Sequence, residues 1–241
     1  HFYLFYVCRE LKKEFPNLLS YTRFVERIPR VAIPLLLFLK LGLMGECTGI
    51  TFIDSTRIPV CENKRQSRNR VFKGYAQKGK STMGWYYGFK LHLLCNERGE
   101  LLNFALTRAN VDDRNPKVFN DLTKDLFGKL YADKGYISQS LFASLFDRGV
   151  HIVTGIRTNM KNRLMDVHDK IMLRKRSIIE TINDMLKNVA QIVHTRHRSI
   201  SNFIVNLLAG IAAYAFYDTK PSINMEFERE EKQDVKQLTL F

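Results

Sequence analysis

The 241-residue chain has little of what builds stapled or metal-clasped folds. Its four cysteines, Cys8, Cys47, Cys61 and Cys95, lie far apart, with no CxxC pair and no Cys/His spacing. That argues against a zinc site and fits free thiols in a reducing compartment. Membrane-length apolar runs are lacking too. Val31 to Leu43 carries Pro34 and Lys40 and is too short to span a bilayer. Ile200 to Tyr217 is longer but is interrupted by Asn202 and Asn206 and flanked by Arg196 and Arg198, so it reads as a buried helix. No secretory leader is visible, and the chain opens on His-Phe-Tyr without Met, which suggests a truncated start. Acidic residues are the other shortage: 24 Asp and Glu stand against 38 Lys and Arg, a net charge of +14. A surplus of that size points to a polyanionic partner, nucleic acid before an anionic membrane. What is plentiful is apolar side chain, 45% of residues, enough for a full core and too much for a disordered chain.

The texture changes along the chain. Residues 1 to 46 read as helical, with Arg9 to Phe15 and Tyr21 to Ile28 broken at Pro16 and Pro29. Gly49 to Asp54 is a β-branched and aromatic run, a buried strand ending at Asp54. Residues 57 to 90 carry nine cations and one acid, Glu62, and Gly74, Gly79 and Gly84 make the part from 57 to 86 read as a basic loop. Tyr87 to Cys95 and Glu100 to Thr107 form a hairpin about Asn96-Glu-Arg-Gly99. Then follow a helix over Asn115 to Phe127, a strand over Lys129 to Ala132, a helix over Ser138 to Asp147, a strand over Val150 to Gly155, and helices from about residue 168 and over Ile200 to Tyr217. Glu226 to Asp234 reads as a solvated acidic tail. The order implies an α/β fold, a mixed sheet with helices on its faces. The expected division is a helical segment over 1–48, a catalytic domain over 49–218 and a polar tail over 219–241.

Three carboxylates stand out by position. Asp54 and Asp133 each end a strand, and these strands are expected to be central neighbours, where open α/β sheets place ligands. Glu180 lies on the late helix, where Arg176, Glu180, Asp184 and Lys187 at offsets 0, +4, +8 and +11 share roughly one face. Gathered acids repel one another and are favourable mainly when cations neutralise them. Mg²⁺ suits such a set, because it takes oxygen ligands and bridges to phosphates, and two ions roughly 4 Å apart can serve an in-line phosphoryl displacement. Mn²⁺ can substitute. Arg176 and Lys187 would then meet phosphate, one as a fork and one as a point charge. Taken singly, each acid has an ordinary explanation: a turn residue for Asp54 and Asp133, a surface ion pair with Arg176 for Glu180. It is the joint pattern that carries the metal reading.

Ile53-Asp54-Ser55-Thr56, Tyr131-Ala132-Asp133-Lys134-Gly135-Tyr136 and Arg176-x₃-Glu180-x₆-Lys187 resemble the three signatures of DDE transposases from bacterial insertion sequences. Gly88 to Leu93 and Asn110 to Asp113 resemble that family's linking segments, and the likeness is nearest to the nine-eighty-two group. It covers about residues 50 to 215. The resemblance implies a ribonuclease-H-like fold, a two-metal site on Asp54, Asp133 and Glu180, and cutting and joining of double-stranded DNA at element ends. It also implies a homodimer on DNA and a place in the bacterial cytoplasm with the nucleoid. One position departs: three residues before Arg176 the family often has Tyr, implied to hold the transposon end, and here stands Leu173. Two other readings remain beside it, a nuclease that cuts without joining and a DNA-binding remnant without activity.

The remaining candidates concern DNA and rival ligands. Arg65, Arg68, Arg70, Lys73 and Lys78, with Lys134 beside the second acid, are expected phosphate contacts. Phe72, Tyr75, Trp85 and Tyr86, interleaved with the cations, suggest a surface for distorted nucleic acid. Asp112 and Asp113 precede Asn115-Pro116, so capping of the next helix is expected to account for at least one of them. His92 reads as a packed strand residue. His194 and His197 read as facing DNA or solvent beside Arg196 and Arg198.

Overall fold

The computed structural model describes residues 2–156, 164–193 and 196–223. The acidic tail and His194 lie outside the described residues. The expected helix over Arg9 to Phe15 is absent; a π-helical turn over Tyr3–Val7 is followed by turns. Helix α1 (Tyr21–Arg27) is capped by the Ser20 side chain, and α2 (Ala32–Phe38) follows it through a 3₁₀ turn at Ile28–Val31. Pro29 therefore tightens the path rather than breaking it, since proline in a first helical turn costs no hydrogen bond.

Among the described residues six strands form one mixed sheet: β1 (Ile50–Cys61), β2 (Gln77–Ser81), β3 (Gly84–Asn96), β4 (Leu101–Arg108), β5 (Gly128–Ala132) and β6 (Val150–Thr154). The sheet order is β2-β3-β1-β5-β6, with β4 also on β3. β1 is antiparallel to β3 and parallel to β5, which is parallel to β6. Gly128, at φ +80°, lets the start of β5 come against the Gly49 backbone, a place with no room for a Cβ.

Two strands differ from the sequence reading. β1 does not end at Asp54: Thr56 and Ile58 continue to bury alternate positions while Arg57 and Pro59 lie between them. The proline is tolerated beside a register shift between Pro59 and Cys61. β2 lies within the expected basic loop. Its sequence, QKGKS, has no apolar face, because it is an edge strand whose lysines also discourage further strand pairing.

The sheet separates two apolar layers. On one face Phe52, Leu91, Leu93 and Tyr131 pack with α5 (Val167–Lys175), α6 (Ser177–Asp184) and α7 (Ile200–Ala215). On the other, Ile53, Leu94 and Leu130 pack with α3 (Pro116–Leu122) and α4 (Gln139–Phe146). α3 is shorter than expected: Asn115 caps its start by accepting from Lys117 and Val118 N–H, and it ends at Thr123. α7 is a buried helix, as expected, and no helix among the described residues is long and apolar enough to cross a membrane. Fold and layering are those of a ribonuclease-H-like α/β domain preceded by helices.

Candidate active site

Strand register brings the first two acids level. Pairing between β1 and β5 ends at Phe52 opposite Tyr131, whose rings stack 5.5 Å apart. Two residues beyond this pair stand Asp54, still on β1, and Asp133, just past the end of β5 with an extended backbone that keeps the alternation. β5 stops at Ala132 while β1 runs on, so the sheet opens beside Asp54. Asp133 keeps an extended backbone and is exposed, whereas Asp54 is half-buried.

The third acid comes from α6. Arg176 breaks the helix between α5 and α6, and its guanidinium lies between two carboxylates. It donates to Glu180 Oε1 at 2.8 Å and stands 4.0 Å from Asp54 Oδ1. Asp54 Oδ2 accepts from Asn183 Nδ2 at 3.0 Å. Burial pushes the Asp54 carboxyl up to about 6, helped by the charges of Glu180 and Asp133 and opposed by Arg176 and the Ser55 N–H. Lys187 reaches the same region. Burial and the nearby Arg57 lower its amine from the usual range, while Asp184 and Asp54 counteract them. Asp184, by contrast, is exposed and accepts a hydrogen bond from Asn188, so it leaves the shared face.

Among the described residues no three His, Cys, Asp or Glu side chains stand close enough to coordinate one ion as they are. Arg176 lies between Asp54 and Glu180, so a single positive charge is shared by two acids. The donor set itself is all oxygen and anionic, which fits a hard divalent cation.

Asn183 was not a candidate from sequence. A signal existed: Arg176, Glu180, Asn183 and Lys187 follow offsets 0, +4, +7 and +11, which at ~100° per residue span only about 60° of a helix. Asp184, at +8, falls outside that stripe.

The basic segment is more ordered than a loop. Arg65 and Arg68 lie on a 3₁₀ turn over Asn63–Arg68, and they, Arg70 and Lys73 are exposed. Lys78 and Lys80 on β2 place their ammonium groups 5.2 and 5.9 Å from the centre of the Trp85 ring, which is 55% exposed. Tyr75 is exposed as well. Phe72 and Tyr86 are buried and unavailable for stacking; Phe72 packs edge-on against Phe89 and Phe203 and anchors the segment. Lys134 is exposed beside Gly155. An open polar hollow of about 560 Å³ joins Lys78, Lys80 and Trp85 to Asp112, Arg114 and Gly135.

The rival acids are otherwise engaged. Neither caps α3, which Asn115 does. Asp112 accepts from the Arg114 side chain and backbone, which holds its carboxyl well below the usual range. Asp113 pairs with Lys90 at 2.9 Å. His92 is fully buried, with Nε2 2.9 Å from Thr107 Oγ1, and burial lowers it to about 4. His197 is half-buried and packs edge-on against Phe203. Leu173 packs against the core.

Comparisons with known proteins bear on the fold and the family. The fold resembles that of the piggyBac transposase in its synaptic complex with hairpin DNA, with a TM-score of 0.50 at 11% identity over 82% of this chain and 53% of that one. This chain thus spans about half the length of that transposase. The Mos1 transposase of a strand transfer complex matches at a TM-score of 0.29 and 8% identity, over 85% of this chain and 65% of that one. No curated protein matches. A family model described as the transposase DDE domain matches residues 44–200, a span that holds Asp54, Asp133, Arg176, Glu180 and Lys187. The chain belongs to the transposase DDE domain family.

Proposed function

We propose that this chain cuts DNA at the ends of a mobile element and joins those ends to a target by metal-dependent phosphoryl transfer, with Asp54, Asp133 and Glu180 as its carboxylates. The observation that carries the reading is the register of β1 and β5, which sets Asp54 level with Asp133, with Glu180 tied to Asp54 through Arg176. These three acids would hold two Mg²⁺ ions, with Mn²⁺ able to replace them. The ions would activate a water or a 3′-hydroxyl and stabilise the leaving oxygen.

The chain's own residues do the rest. Arg176 and Lys187 flank the acids and carry the charge and fork geometry that bind phosphate. Lys78, Lys80 and Trp85 offer cations and an exposed ring to DNA beside Gly135, and Arg65, Arg68, Arg70, Lys73 and Lys134 extend the positive surface. Double-stranded DNA, as element ends and as target, is the proposed partner, bound by a homodimer in the bacterial nucleoid.

The test is a nicking and strand-transfer assay on terminal inverted repeats with Mg²⁺. Wild-type protein should release 3′-hydroxyl ends and join them, and Asp133→Asn should do neither. Cleavage without joined product would reduce the enzyme to a nuclease. Wild-type activity in Asp133→Asn would remove the site assignment.

A further inference from the structure

Asn183 is the one buried polar side chain of α6, 5% exposed, where the stripe of Arg176 and Glu180 meets the apolar side formed by Ile178, Ile179 and Ile182. A buried amide costs on the order of 1–3 kcal/mol for each group left without a partner. Here only half of it is bonded: Nδ2 donates to Asp54 Oδ2, and Oδ1 is buried without a partner. An apolar residue would bury no unmatched oxygen, but it would leave Asp54 Oδ2 without this donor. Turning the amide over would set its carbonyl against the carboxylate, so the acid itself dictates which way Asn183 points.

We propose that Asn183 is a positioning residue that decides which oxygen of Asp54 is offered to a divalent cation. By occupying Oδ2, its amide leaves Oδ1 as the oxygen turned to the space shared with Arg176 and Glu180. Asp54 is thereby held as a single-oxygen ligand rather than a rotating carboxylate. Hydrogen bonds that orient a ligating side chain typically contribute about 10–100-fold in metal affinity. The inference rests on the metal reading of the three acids.

The experiment is titration of the full chain with Mn²⁺ alone, without DNA, following free Mn²⁺ by electron paramagnetic resonance. Asn183→Ala and Asn183→Leu, which keeps the branch at Cγ but no polar atom, should each weaken Asp54-dependent binding by about tenfold. DNA affinity in EDTA should stay unchanged, and nicking should need more Mn²⁺ for half its maximum while approaching the wild-type maximum at saturation. In wild-type protein, trace Mn²⁺ should broaden the side-chain amide signals of Asn183, a measurement that does not depend on either variant folding. If Asp54→Asn abolishes Mn²⁺ binding but both Asn183 variants bind within about twofold of wild type, the positioning role is wrong and the metal site stands. Unbroadened Asn183 signals would also overturn it. If Asp54→Asn leaves Mn²⁺ binding untouched, the metal reading fails instead.

Discussion

The sheet carries polar side chains on both faces, and the two sides settle their charges differently. Toward α3, Lys90, His92, Thr107 and Asp113 form a closed set: Lys90 donates to Asp113 and to the Val111 carbonyl, and His92 stays neutral against Thr107. Toward α6, Asp54, Arg176, Glu180 and Asn183 remain open: one guanidinium serves two acids, Asp54 is pushed up to about 6, and Asn183 Oδ1 is unmatched. Burial alone therefore does not mark a functional cluster. The closed set spends its hydrogen bonds on tying the segment around Asp113 to the sheet. The open set keeps unmet electrostatic demand that a cation and a phosphate can satisfy.

The contrast can be broken most sharply at its open end. Asp133→Asn or Glu180→Gln should lower nicking on the order of 10³-fold or more while DNA affinity in EDTA is unchanged. Retained activity in both would mean that the open set is not catalytic. At the closed end, Asp113→Ala strands Lys90, whose side chain is only 13% exposed. It should cost about 2 kcal/mol in urea denaturation, below the figure for a fully buried pair because Asp113 is partly solvated. Mn²⁺ affinity should not move; a parallel loss of metal binding would join the two sets into one.

Stability against pH sharpens the comparison, because the two faces pull in opposite directions. Metal-free folded protein holds the Asp54 proton more tightly than the unfolded chain does. That contribution is present below pH 3.8 and is lost as pH rises through about 6. His92 binds its proton less tightly when folded, so its contribution is present above 6.5 and is lost as pH falls through about 4. Asp54→Asn should therefore steepen the gain in stability between pH 4 and 6, by roughly 1–2 kcal/mol after discounting for solvent access. His92→Gln should do the reverse in the same urea titrations. The smallest effect lies farther out: Lys78→Ala should reduce the slope of log affinity for DNA against log salt by about 1, without changing cleavage at saturating DNA.

Much of this was legible in the sequence, for identifiable reasons. β3 and β4 stand out because Asn96 to Gly99 is strong turn chemistry between apolar runs. Asp54, Asp133 and Glu180 stand out because each sits in a recognisable local setting. The continuation of β1 was hidden because Arg57 and Pro59 look like loop residues unless Thr56 and Ile58 are read at period two. β2 was hidden because an edge strand needs no apolar face. The aromatics of the basic segment divided in a way that composition could not foresee: Phe72 went into the core through Phe203 on α7, a contact far away in sequence. Asn183 was missed because an amide in a helix carries no charge to draw the eye, and its value lies wholly in where Asp54 happens to be.

The break at Arg176 also bears on how the protein is made. The sheet and both aspartates come from residues up to 154, whereas Glu180, Asn183 and Lys187 all follow residue 176. A chain growing on the ribosome presents β1 and β5 before α6 has emerged, but the sheet face that α5, α6 and α7 cover stays bare until they follow. The acidic set is therefore completed late in synthesis, together with the helices that cover the Phe52 and Tyr131 face of the sheet, so a prematurely ended chain lacks both Glu180 and that apolar cover.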